Sequence, residues 1–62
     1  MNSKQFKIFM VEQDKTVAEM AEILDFSKSF IGKISSGEKE ISKNVLKQIK
    51  VNFPNVDISR FL

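Results

Sequence analysis

Two helix starts stand eleven residues apart, at Thr16 and Ser27, and little fits between them but a short helix and a tight turn. Thr16 and Glu19 have the T-x-x-E spacing of a capping box, in which each partner satisfies a backbone N–H that the first turn leaves orphaned. Met20, Ala21 and Leu24 follow at i, i+1 and i+4 and share one face, with Ala18 and Ile23 nearer its edges. The pattern predicts a helix that ends at Leu24 or Asp25. Ser27 caps the next helix after a two-residue break, Asp25-Phe26, and the apolar residues there are Phe30, Ile31 and Ile34. That helix runs to about Ser35, and Gly37 supplies the positive-φ stop favoured just past a helix end. Two helices joined so tightly cross at a steep angle, which needs a small residue at the crossing, here Ala21. Any close helical hairpin makes the same demand.

The rest of the chain reads as helical too. Phe6, Phe9 and Met10 recur at i, i+3 and i+4 in a helix over 3–13, with Asn2 or Ser3 as N-cap, before Asp14 and Lys15 break the pattern. Ser36 to Glu40 reads as a loop. Ser42 caps a helix whose apolar face is Val45, Leu46 and Ile49 and whose solvated side is Lys43, Lys47 and Lys50. Pro54 biases Phe53 away from helical angles, so 51–56 is expected to be a connector. Asp57 caps a last short helix over 58–62, with Ile58, Phe61 and Leu62 on one face. A strand at 51–53 would have no partner. The expectation is an all-α single domain, 1–62, a compact bundle of about five short helices.

Size and composition narrow the function. A chain of 62 residues buries only about 60% of the surface its unfolded form exposes, so the core must come from a few well-packed elements. Without cysteine there is no disulfide and no thiolate metal site. Without histidine the commonest metal ligand and the usual neutral-pH acid/base are absent. Tyrosine and tryptophan are missing too, no glycine loop cradles a phosphate, and the carboxylates are scattered, so an enzyme is not expected. Nor is a metal, a cofactor or a small-molecule substrate. Apolar runs of three or four residues are far short of a membrane span or a secretion signal. A soluble, reducing, cytoplasmic setting is the expectation.

Charge is unevenly placed. Residues 1–26 carry Lys4, Lys7 and Lys15 against Glu12, Asp14, Glu19, Glu22 and Asp25, a net −2. Residues 27–62 carry Lys28, Lys33, Lys39, Lys43, Lys47, Lys50 and Arg60 against Glu38, Glu40 and Asp57, a net +4. The basic half opens with SKSFIGKISSG, a helical stretch without a single acid. Such asymmetry suits a surface that faces a polyanion. Its plain alternative is a lysine-rich solubilising face.

The stretch TVAEMAEILDFSKSFIGKISSG resembles the helix-turn-helix DNA-binding domain of the Cro and lambdoid phage repressor family (XRE-type). The family pattern runs threonine–glutamine–x–x–leucine–alanine–x–x–leucine–glycine–valine–serine–x–x–x–isoleucine–x–x–isoleucine–x–x–glycine. Thr16, Met20, Ala21, Leu24, Phe26, Ser27, Ile31, Ile34 and Gly37 fall on it without a gap. The likeness extends upstream to Phe6 and Phe9 and downstream to Val45, Leu46, Ile49, Val56, Ile58 and Phe61. Three departures stand out. Val17 replaces the glutamine after the helix-two cap, and Asp25 replaces the turn glycine. Met10 and Ser35 stand where the family often has an arginine–glutamate pair, so both halves of that pair are missing together.

The resemblance implies a lambda-repressor-like fold and a sequence-specific double-stranded DNA-binding transcriptional regulator, repressor-like, of phage or bacterial type. The helix over 27–35 would enter the major groove, with Ser27, Lys28, Ser29, Gly32 and Lys33 toward base edges. Thr16, Val17, Ser36, Lys39, Ser42, Lys43 and Asn44 would meet phosphates. Lys47 and Lys50 read as solvated surface. Phe30 would either pack against neighbouring helices, the favoured reading, or touch a thymine methyl. A homodimer on a pseudo-palindromic operator is implied, with Val51, Phe53, Pro54, Val56, Arg60 and Leu62 as candidate dimer surface. The competing class is a protein-binding module, such as an antirepressor or antitoxin, that uses the same fold.

Overall fold

In a computed structural model describing residues 3–62, the chain forms four α-helices and a 3-10 turn. The helices are α1 (Ser3–Glu12), α2 (Val17–Leu24), α3 (Lys28–Ser36) and α4 (Lys43–Asn52), and the 3-10 turn spans Ile58–Phe61. No strand occurs among the described residues.

Side chains fix the helix starts. Glu19 N–H donates to Thr16 Oγ1 (3.2 Å) and Thr16 N–H donates back to Glu19 Oε1 (2.9 Å), which completes the capping box. Ser27 Oγ accepts from Phe30 N–H (3.0 Å) and Ser42 Oγ from Val45 N–H (3.3 Å), so α3 and α4 start on neutral serine caps. Ser3 is the first residue of α1 rather than its cap, and Asn2, the other candidate, lies outside the described residues.

Three helix ends share one device. α2 closes on Asp25 (φ 63°, ψ 46°), with Phe26 N–H donating to the Ala21 carbonyl (2.9 Å) and Asp25 N–H to the Glu22 carbonyl (3.3 Å). α1 closes likewise on Asp14 (φ 55°), with Lys15 N–H on the Met10 carbonyl and Asp14 N–H on the Val11 carbonyl, both at 3.0 Å. α3 closes on Gly37 (φ 91°), with Glu38 N–H on the Lys33 carbonyl (2.9 Å) and Gly37 N–H on the Ile34 carbonyl (3.2 Å). A left-handed residue at each end lets the chain reverse within a few residues. Two of the three are aspartates where glycine is the usual choice.

Four expectations need correction. The fifth helix is a single 3-10 turn. Asp57 Oδ1 accepts from Ser59 N–H only two residues on (3.0 Å), and four residues are too few for an α-helical ladder. The connector starts later than residue 51, because Pro54 restricts only Phe53 (φ −131°, ψ 71°) and leaves Val51 and Asn52 free to stay in α4. Ser36 is the last residue of α3, not the first of a loop. α1 stops at Glu12, one residue short, because Asp14 turns left-handed.

α2 packs chiefly on α3, α3 also on α1, α4 on α2, and the 3-10 turn on α1 and α4. Phe6, Phe9, Met20, Leu24, Ile31, Ile34, Val45, Ile49 and Phe61 are wholly buried, and Ala21 is buried among them. Each such large side chain contributes about 1.5–3 kcal/mol by leaving water. Phe9 is the hub of the aromatic end, edge-to-face on Phe53 (5.1 Å, 87°) and on Phe61 (5.5 Å, 84°). Outside it, Arg60 clasps α1. Its Nη1 and Nη2 donate to Glu12 Oε1 (2.8 Å) and Oε2 (3.2 Å), and its Nε donates to Gln5 Oε1 (3.2 Å). That bidentate clasp ties the chain's last turn to its first helix.

Candidate nucleic-acid interface

α3 divides cleanly along its length. Ile31 and Ile34 are wholly buried, and Ser35 is buried beside them. Ser29, Lys33 and Ser36 are exposed and fall on the opposite side of the helix at 100° per residue, while Lys28 is exposed at the helix's first position, on nearly the azimuth of Ser35. Gly32 lies on the seam. A β-carbon there would stand 3.8 Å from Val17 Cγ1, an ordinary contact, so α3 passes close to the start of α2 at that point. Val17 itself is half-buried and packs on the core. Any groove contact at Gly32 is therefore with its backbone.

Phe30 sits at the boundary between the two sides. Its ring is half-buried, tilted against Phe26 with centroids 5.1 Å apart, and carries the Lys39 ammonium 5.7 Å from its centre. The packing reading of Phe30 agrees with this arrangement.

The helix starts differ in charge. α2 has its own carboxylate at its N-terminus, and the Thr16 backbone and hydroxyl bonds hold Glu19 below the usual carboxylate range. An incoming phosphate at Thr16 or Val17 would meet that negative charge. α3 and α4 have no acid in their first turns, and each puts a lysine, Lys28 or Lys43, at its first helical position. Their free N–H groups and positive dipole ends are open to an anion. Lys28, Lys33 and Lys43 make no ion pair among the described residues, where Arg60–Glu12 is the only one.

Between α3 and α4, Ser36 Oγ lies 3.1 Å from both the Lys33 carbonyl and Glu38 Oε2 and donates to one or the other. The Ser42 oxygen is occupied by its cap, while Lys43 and Asn44 are exposed beside it.

The candidate dimer surface separates into two sets. Val51 (65% exposed), Pro54 and Leu62 (75%) face outward. Phe53 and Val56 pack on the core instead, and Arg60 is committed to Glu12 and Gln5, an arrangement that also raises its own pKa. Little in the local sequence signals the Arg60 clasp or the contacts of Phe30 with Phe26 and Lys39. The only hint is Phe26 and Phe30 at i, i+4.

No helix among the described residues is long and apolar enough to cross a membrane, and no group of acidic side chains there is placed to hold a metal ion. No protein-family model, curated protein or solved structure matches the chain.

Proposed function

We propose that the protein is a small sequence-specific double-stranded DNA-binding regulator of the helix-turn-helix, Cro-like kind, repressor-like and of phage or bacterial type. The observation that carries the reading is the pair of lysines at the helix starts. Lys28 and Lys43 occupy first-turn positions where the helix dipole disfavours a cation, while α2 in the same chain takes the favoured acid, Glu19. Places where a sequence breaks a local rule without structural gain are where function is expected. An approaching phosphate reverses the sign of both terms.

On this reading α3 lies in the major groove, with Ser27, Lys28, Ser29 and Lys33 against base edges and the Gly32 backbone close by. Phosphate is met by Lys39 and by Lys43 and Asn44 at the start of α4. A second copy on a pseudo-palindromic site would double the contacts, with Val51, Pro54 and Leu62 as the surface left for pairing.

A protein-binding module is the second reading, favoured by the exposed apolar residues Ile8, Val11, Val51 and Leu62. Selection of sites from random duplexes at two salt concentrations separates the two. Recovery of a pseudo-palindrome, with log affinity falling by roughly 0.9 per log salt for each phosphate neutralised and lost on Lys28→Ala or Lys33→Ala, supports the first. No enrichment even at low salt refutes it.

A further inference from the structure

Lys39 stands between Glu38 and Glu40 in the chain, yet its ammonium goes to neither carboxylate. It lies instead over the Phe30 ring, 5.7 Å from the centroid and within the range of a cation–π contact. The ring is itself held, because its centroid lies 5.1 Å from that of Phe26 and both pack on the core. The loop backbone points the same way. Lys39 N–H donates to the Lys33 carbonyl (3.2 Å), alongside Glu38 N–H on the same oxygen (2.9 Å). Phe30 and Lys33 are i, i+3 neighbours on α3, about 60° apart around it. Ring and backbone thus bring the Lys39 head group beside the exposed basic side of the helix.

From this we infer that Phe30 is a positioning residue. Its ring fixes the Lys39 ammonium at the edge of the α3 face, where Lys39 clamps a backbone phosphate beside the base edge that Lys33 reads. The inference rests on the DNA-binding reading above, and it assigns Phe30 neither a base contact nor a purely core role. A lysine free in a loop between two glutamates would be drawn toward them and would lose rotamer entropy on meeting a phosphate. One already held over a ring has lost part of that freedom and is turned from the acids.

The test is a double-mutant cycle on the intact chain, with selected duplex as ligand. Lys39→Ala weakens binding and lowers the salt slope by about one. In a Phe30→Leu background, which keeps an apolar side chain but removes the ring face, Lys39→Ala costs about two- to fivefold less. Phe30→Tyr retains the parental behaviour. In the free protein, the Lys39 side-chain proton resonances, shifted by the ring, return to ordinary positions in Phe30→Leu.

An equal cost of Lys39→Ala in both backgrounds overturns the inference while leaving the DNA reading intact. A changed base preference in Phe30→Leu does so too, since it makes the ring a base contact. A parent chain that binds no duplex at low salt refutes the DNA reading, and the clamp falls with it.

Discussion

The turn between α2 and α3 hangs on one backbone angle, and replacing Asp25 tests it by the sign of an effect. Asp25 has φ 63° and ψ 46°, and its N–H and that of Phe26 close α2. A residue with a β-carbon gives up about 1–2 kcal/mol in this left-handed region, whereas glycine gives up none. Glycine instead costs about 0.4–1 kcal/mol through the greater freedom of the unfolded chain. The difference leaves Asp25→Gly more stable than Asp25→Ala by about 1 kcal/mol, which separates their melting temperatures by about 4–8 °C in a domain this small. The parent falls between them, because aspartate visits this region more readily than alanine. Ala18, exposed at the second position of α2, is the control; there glycine is worse than alanine by up to about 1 kcal/mol. Thermal and urea unfolding followed by circular dichroism, with the urea slope unchanged, gives the comparison. If Asp25→Ala proves more stable than Asp25→Gly, the residue is not left-handed and the α2–α3 junction described above is wrong.

Three other substitutions and conditions probe the rest of the molecule. Gly32→Ala meets only Val17 at an ordinary 3.8 Å, so it stabilises the fold by about 0.5–1 kcal/mol in a melt, while weakening DNA binding if the α3 backbone approaches the groove closely. Glu12, Glu19 and Asp57 are held below the usual carboxylate range by hydrogen bonds from Arg60, Thr16 and Ser59 respectively. Because their folded pKa values are depressed, their contribution is complete above the unfolded values and is lost as pH falls through the folded ones. The melting temperature should therefore stay flat down to about pH 5 and drop toward about pH 3, less steeply in Arg60→Met. Val51→Lys, at an exposed position, should change stability by less than about 0.5 kcal/mol, yet reduce cooperative occupation of a two-half-site duplex in a gel-shift titration.

What could be read from the sequence was what neighbouring residues decide. The starts of α2, α3 and α4 each rest on a side chain bonding a backbone N–H three residues on, and the buried face of each follows from spacing along one helix. α4 runs on to Asn52, past the expected boundary, because a proline constrains the residue before it and no further. Long-range partners left no trace. Arg60 meets Glu12 and Gln5 across 48 and 55 residues, and nothing about an arginine near the chain end singles out those two. Phe53 and Val56 look as eligible for an exposed surface as Val51 does until Phe9 and the core are placed beside them. At the candidate interface, residue types were readable but commitments were not. Ser42 and Thr16 spend their hydroxyls on caps, and Lys39 spends its ammonium on a ring.

Those commitments set stability against function at the helix starts, and the opposition can be measured. A glutamate at the first position of α3 or α4 would sit at the positive end of the dipole, where lysine now sits, and each term amounts to about 0.3–1 kcal/mol. Lys28→Glu and Lys43→Glu should therefore each raise the stability of the free protein, by about 0.5–2 kcal/mol once both the lost repulsion and the new attraction count. Neither lysine has an acidic partner to lose among the described residues, so no compensating loss is expected in the fold. On DNA the same changes place a carboxylate against phosphate and should abolish binding, with Lys43→Glu weakening all sequences alike and Lys28→Glu also blurring base preference. Variants that gain stability and lose binding together would mark the lysines as kept for a polyanion. Variants that gain stability and still bind duplex would show that the two helix starts do not face the DNA. Variants that gain no stability would remove the physical ground on which the two lysines were singled out.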